Sequence, residues 1–393
     1  MISLVLAVAW FSVIAMALCG HAAFERASRL VGVARRPDLE LPRREWGFEF
    51  DRPPASYAAL RALASVARLV RGRTLIAESS QRLGWISRLV CLLATASALS
   101  LVPFASTWGG SAEGRRMVAV DLEYGLAVLL FLTLLSGLAQ AAAGLAERNV
   151  WARLAAVRVE GHSLVGVALL LLVLAPLVLE TGSLRLHDMV LVQQGSYPPL
   201  AFVVRLFSQL DLNLDVIAAI RLPNWFLFSQ PLTAILIVPT LNLLFQRDML
   251  SDAMAGTSGL TGFGIDSDPS DLYWAGLEAR LSTVLAAALF VALFLGAGGL
   301  PFFDTSGIVL RLAPLFGEAL PALLLVGFEV AVFAGKLIGV LFLASLLRRS
   351  TGSARADQSM RTMTRRLIPL AWANLLLLST LSLLRGPVGE ALS

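Results

Sequence analysis

Long apolar stretches alternate with polar or charged segments along this chain. Eight of them, 2–24, 88–106, 122–144, 162–180, 224–245, 279–300, 320–347 and 367–385, are apolar enough to lie in lipid. A bilayer core about 30 Å thick is crossed by roughly 20 residues of α-helix. Backbone amides in lipid must be satisfied internally, so uninterrupted apolar runs of this length predict helices rather than strands. Their Leu and Ala content favours the same outcome. The expected fold class is therefore an all-α integral membrane protein with about eight transmembrane helices, a single polytopic domain over 1–393. The first stretch, Ile2–Cys19, has no preceding Arg or Lys and no A-x-A cleavage pattern. It reads as a retained membrane helix rather than a signal peptide.

The connections have patterns of their own. Within the long segment 25–87, Ala55–Arg71 has helical periodicity, with Leu60, Leu63, Ala64, Ala67 and Val70 on one face. Arg61, Ser65 and Arg68 fall on the other. That pattern fits a helix lying in the membrane interface, or equally a small helix packed on the ends of the bundle. Residues 181–222 form a moderately polar connection, and 246–278 are rich in Gly, Ser and Asp, an irregular loop by composition. No internal repeat is visible, so an inverted-repeat transporter gains no support.

Composition narrows the class. The chain is 57% hydrophobic and 15% charged, with a mean hydropathy of +0.76. Soluble domains average about 25% charged residues, so an ordinary soluble enzyme, a disordered chain and a charge-driven nucleic-acid binder are all excluded. The net charge of +5 comes from 31 Arg and a single Lys, Lys336, against 27 acidic residues. With the N-terminus placed outside, 24 Arg fall in the inside connections and 7 in the outside ones. The positive-inside rule then favours an even helix count with both termini on the non-cytoplasmic side.

The candidate chemistry is ionic rather than metallic. Cys19 and Cys91 are isolated in apolar runs, and His21, His162 and His187 have no metal-ligand spacing. The expectation is no metal and no cofactor bound by this chain. Ionisable groups at membrane depth are costly, by about 2.5–3.5 kcal/mol on insertion scales, and usually face a cavity or a partner. Lys336 lies mid-way through its span, and Glu329 precedes it by seven residues on nearly the same helix face. The two stand about 10 Å apart along the axis, which suits a water- or partner-linked polar line better than a direct salt bridge. Glu160 and His162, preceded by Arg158, open the fourth span; Glu278 and Arg280 open the sixth. These interfacial groups fit either relay stations or snorkelling and capping charges. Trp46, Trp85, Trp225 and Trp372 fall near expected interfaces, as aromatic belts do.

Several stretches together resemble a known family, the quinone-site membrane subunit of proton-pumping NADH:quinone oxidoreductase (complex I). Its relatives include the equivalent subunit of membrane-bound hydrogenases and formate hydrogenlyases. Phe24-Glu25-Arg26 resembles the Glu-Arg after the family's first helix. Asp121-Leu122 with Gly125 resembles the D-L-x-x-G opening of its third. Arg158 falls on the Arg of its G-A-x-R turn. Gly182-Ser183, Asp188-Met189-Val190 and Gln193 resemble G-S-x-x-x-x-D-I-V-x-x-Q, and WFLFSQPL over Trp225–Leu232 resembles W-x-x-F-x-Q-P-L. Lys336, Arg348, Arg355, Asp357-Gln358, Met360, Pro369 and Asn374 keep the spacing of the last two helices. The resemblance implies a membrane subunit at the quinone chamber, where the membrane arm meets the hydrophilic arm. Quinone would be the substrate, with FMN and iron–sulfur clusters on partner subunits. Partners would be membrane lipid, the other membrane-arm subunits and the iron–sulfur subunits, with no nucleic acid. The compartment would be the inner (cytoplasmic) membrane. It further implies that Glu25, Arg26, Arg158 and Arg247 contact the chamber or the peripheral arm, and that Glu160, His162, Glu278, Glu329 and Lys336 form a proton or charge relay.

The departures from the family pattern have a physical consequence. The G-P-N-R-x-G-P signature is absent between Arg35 and Pro54, and of the family's N-R-x-P-F-D loop only Arg247 is retained. The acidic stretch that should follow reads MAGTSG over Met254–Gly259, without a carboxylate. Each lost carboxylate is a lost titratable station. Two alternatives thus stand beside a coupled oxidoreductase subunit: the hydrogenase-type equivalent, and a scaffold that lost ion transfer. A stand-alone secondary transporter fits the intramembrane charges but not the lack of repeats.

Overall fold

The computed structural model describes residues 78–105, 118–146, 150–194, 196–197, 222–245, 269–299, 319–351 and 356–389. Glu25, Arg26, Arg247, the first expected span and the amphipathic segment Ala55–Arg71 lie outside the described residues. In chain order the helices are α1 (Glu78–Ser100), α2 (Gly125–Ala146), α3 (Val150–Thr181), α4 (Leu186–Val192), α5 (Phe226–Ser229) and α6 (Pro231–Phe245). They continue with α7 (Pro269–Phe294), α8 (Ala319–Thr351), α9 (Ala356–Thr362), a π-helical turn at Met363–Leu367, and α10 (Ile368–Gly389). The β pairing found among the described residues is one antiparallel step, Ser196 with Pro223 and Tyr197 with Leu222. The fold is all-α, as the apolar pattern predicts.

Among the described residues, five helical segments are long and apolar enough to cross a membrane: Leu83–Ser100, Gly125–Ala146, Ala152–Thr181, Leu277–Phe294 and Leu324–Ala344. That is fewer than the eight expected. The fifth expected span, 224–245, is two helices rather than one. Gln230 leaves helical geometry (φ −129°, ψ 65°) immediately before Pro231. The pyrrolidine ring disfavours helix in the residue before it but suits the first turn of the helix it opens. The second of the pair, α6, has 15 residues. The eighth expected span coincides with α10.

Helix ends differ from the apolar boundaries in a consistent way. α3 begins at Val150, well before the expected 162, and α7 begins at Pro269, inside a segment expected to be irregular. Charged residues such as Arg153, Arg158 and Glu160 end an apolar window without ending a helix. Apolarity therefore marks membrane depth, not helix length. α3 has 32 residues and α8 has 33. With a rise of about 1.5 Å per residue, each is about 50 Å long and overhangs a hydrocarbon core of about 30 Å. At the other ends, α1 stops at Ser100 ahead of Pro103, and α7 stops at Phe294 rather than 300. There the chain turns through Gly296 (φ 64°) and Ala297 (φ 46°).

The core is built from faces at helical spacing. α3 contributes Leu169, Leu170, Val173, Leu174 and Leu177; α7 contributes Val284, Leu285, Ala288, Val291 and Ala292. α8 buries Leu325, Glu329, Phe333, Leu337 and Leu341 and exposes Leu324, Phe328, Ile338, Phe342 and Leu343. Its outer face is thus as apolar as its inner one, as expected of a helix facing lipid or another subunit. Small residues allow close helix approach: Gly137 lies against Ser163, and Gly166 against Leu244.

Candidate functional site

Three polar clusters interrupt this apolar core. The first lies where α7 breaks. Beyond Phe294, the amides of Leu295 and Ala297 both donate to Val291 O, and Gly299 N donates to Gly296 O. With two left-handed residues in succession, the carbonyls of Leu295, Ala297 and Gly299 converge on one point. The ammonium of Lys336 occupies that point and donates to them at 2.6, 2.9 and 2.6 Å. Its Nζ also stands 4.6 Å from the centroid of the Trp225 ring, within cation–π range. An ammonium has three donors, and all three are used.

The surroundings fix the turn in place. Gln193, buried next to the end of α4, accepts from Gly296 N at 3.0 Å and donates to Ala292 O at 3.2 Å. Trp225 Nε1 would stand 2.9 Å from a Cβ added at Gly296. A Cβ at Gly298 would meet Glu329 O at 2.6 Å and Phe104 O at 2.9 Å. Glu329, 1% exposed, therefore abuts the same turn that Lys336 caps. The two residues share a helix face, as their spacing predicts, and both meet the broken end of α7.

The second cluster surrounds Glu278, which is 4% exposed. Thr95 Oγ1 donates to Glu278 Oε1 at 3.3 Å and Ser136 Oγ at 3.5 Å. The two hydroxyls are 2.8 Å apart, and Cys91 Sγ lies 3.3 Å from Ser136 Oγ. Its place at the start of an apolar run suggests an interfacial relay or capping charge; burial against α1 and α2 puts Glu278 inside the bundle instead. The adjoining residue Gly137 packs on Ser163, next to His162. Glu160 and His162 are half-buried on α3, and Arg158 and Arg280 are exposed. Glu278 and the turn at Leu295 are separated by about 25 Å of α7.

The third cluster joins three helices. Gln230 donates to Pro176 O at 3.4 Å and to the Glu180 carboxylate at short range. Thr233 Oγ1 donates to Gln230 Oε1 at 3.1 Å, and Asn374 Nδ2 donates to Thr233 Oγ1 at 2.9 Å. α3, α6 and α10 are tied through four side chains.

Residues 52–379 match the sequence profile of the family described as NADH dehydrogenase. The chain belongs to this family. No curated protein matches it. As an NADH dehydrogenase family protein with five described apolar spans, it is a multi-pass membrane protein of a multisubunit oxidoreductase complex. The polar clusters also contain residues to which sequence reasoning gave no role: Thr95, Ser136, Gln193, Gln230, Thr233 and Asn374. A signal existed for three of them, since Gln193, Gln230 and Asn374 lie in the stretches that resemble the family. Trp225, read as a belt residue, stands under the Lys336 ammonium. Thr95 and Ser136 carried no signal, because one hydroxyl on an apolar helix satisfies its own i−4 carbonyl at no cost.

Proposed function

We propose that this chain is the membrane subunit of a complex I-like NADH:quinone oxidoreductase. It would form the quinone-chamber region at the junction of the membrane and hydrophilic arms and help couple electron transfer to proton translocation. Quinone is the substrate on this reading, and FMN and iron–sulfur clusters belong to partner subunits. Glu25, Arg26, Arg158 and Arg247 would face the chamber or the peripheral arm. Glu160, His162, Glu278, Glu329 and Lys336 would carry or set charge along the membrane path. The protein would sit in the inner (cytoplasmic) membrane, with both termini on the non-cytoplasmic side.

The observation that carries this reading is Glu278: a carboxylate at 4% exposure, inside a membrane bundle, surrounded by hydroxyls. Hydroxyls both donate and accept, so Thr95 and Ser136 are suited to pass a proton to or from a carboxylate, whereas aliphatic side chains are not. Buried intramembrane carboxylates are expensive and mark ion paths by default. In vesicles holding the purified complex, Glu278→Gln should leave quinone reduction and subunit composition intact and reduce proton uptake to background. Full uptake by that variant would refute the role. Recovery of the tagged protein from mild detergent without iron–sulfur subunits would refute complex membership.

One observation favours the scaffold reading. All three N–H groups of Lys336 are held by backbone carbonyls, and carbonyls accept hydrogen bonds but take no proton at neutral pH. Unchanged pumping and assembly in Lys336→Met would favour a scaffold, and an assembled but uncoupled complex would favour a relay.

A further inference from the structure

We propose that the turn Leu295–Gly299 is a monovalent-cation site, and that the ammonium of Lys336 is its resident, tethered cation. This stands on local geometry alone and not on the oxidoreductase assignment.

Four observations point to a cation cup rather than an ordinary helix end. The carbonyls that converge come from alternate residues, 295, 297 and 299, which a helical C-terminus does not provide. They meet only because Gly296 and Ala297 adopt φ of 64° and 46°. Left-handed backbone at a non-glycine residue costs free energy and persists where the surroundings over-determine it. Here Gln193 holds Gly296 N, and Ala297 is fully buried. The cup also lies at the C-terminal end of α7, where the helix dipole presents roughly half a negative charge. Finally, the Trp225 ring closes one side with its negative face toward the site, 4.6 Å from Nζ. A Cβ on Gly296 or Gly298 would strike Trp225, Glu329 or Phe104, so the turn can take this shape only with glycine at both positions. Unwound backbone and half-helix C-termini of this kind coordinate small cations in membrane proteins.

The same geometry accounts for the lone lysine. In a chain with 31 Arg, this position alone keeps an ammonium. Three convergent acceptors fit the compact three-donor ammonium; a planar guanidinium fork cannot direct its donors to one point. Lys336 is on this view a positioning residue. It holds the end of α7, and with it Gly298, against the Glu329 backbone of α8.

The test uses the full-length chain in detergent, with thermal unfolding measured in choline chloride and in sodium, potassium or ammonium chloride at equal ionic strength. Choline is too large for the cup. Wild type should unfold at the same temperature in all four. Lys336→Met should unfold roughly 2–4 °C or more lower in choline and recover most of that loss in at least one small cation. The cation that restores it identifies the one the cup selects. A variant as stable as wild type, or one whose loss is the same in every salt, overturns the proposal. Where Lys336→Met cannot be recovered in any salt, wild type decides the question. Because the chain has one lysine, labelling with lysine carrying ¹⁵N at Nζ gives one side-chain signal. A single, slowly exchanging ammonium signal supports the cup, and exchange as fast as that of free lysine overturns it.

Discussion

Taken residue by residue, several buried polar groups in this bundle are matched to specific acceptors or donors. Lys336 shows this most fully, with three carbonyls for three N–H groups. The glycines around it test how tightly the site is set. Gly298→Ala would place Cβ 2.6 Å from Glu329 O. A backbone oxygen cannot swing aside, so overpacking should cost about 1–3 kcal/mol. Gly166→Ala meets Leu244 Cδ1 at 2.5 Å, the far end of a flexible side chain, and should cost less. Thermal unfolding of the two variants in detergent should rank them in that order. Thr95→Val removes a donor to Glu278 and a partner of Ser136, leaving buried polar groups short of a bond. A loss of about 1–3 kcal/mol is expected, read in the same assay.

Among the helices, two of the three polar clusters gather at breaks. α7 ends early and makes the carbonyl cup. The interruption at Gln230 and Pro231 frees a side chain that reaches Pro176 O and Glu180 on α3. Asn374 on α10 reaches the same chain through Thr233. If these residues tie α3, α6 and α10 together, they should act as one unit. Gln230→Leu and Asn374→Leu should each cost about 1–3 kcal/mol. The double variant should lose less than the sum, by about 0.5 kcal/mol or more. Strict additivity in that cycle would mean the helices are held by packing alone. The π-helical turn at Met363–Leu367 is another such break, burying Met363 and Leu367 while Arg365 and Arg366 stay exposed.

Across the bundle as a unit, the outer face of α8 is apolar and exposed through Leu324, Phe328, Phe342 and Leu343. That suits a subunit embedded in lipid and in a larger assembly. The orientation drawn from 24 inside and 7 outside Arg predicts a specific reporter pattern. A C-terminal alkaline phosphatase fusion should be active, and a C-terminal green fluorescent protein fusion dark. The opposite pattern would invert the assigned topology and move Glu278 and the Lys336 cup to the other membrane leaflets.

Much of this is legible in one dimension, because transfer into lipid depends on the composition of a segment and not on what it touches. Apolar runs give the all-α membrane class, and the shared face of Glu329 and Lys336 follows from their spacing. The stretches around Gln193, Trp225 and Asn374 point to the family. Helix ends are not legible, since a charge ends an apolar window without ending a helix, and left-handed turns at Gly296 and Ala297 leave little trace in hydropathy. Nor are the partners. Glu278 looks like an interfacial charge until α1 and α2 bring Thr95 and Ser136 to it. Lys336 looks like part of a water- or partner-linked polar line until three carbonyls 37 to 41 residues upstream are seen around it. Residue order alone dictates which segments are apolar enough to enter a membrane and which residues are too costly to be there by accident. What compensates that cost is settled in three dimensions, because compensation comes from groups distant in the chain that folding brings within hydrogen-bond range.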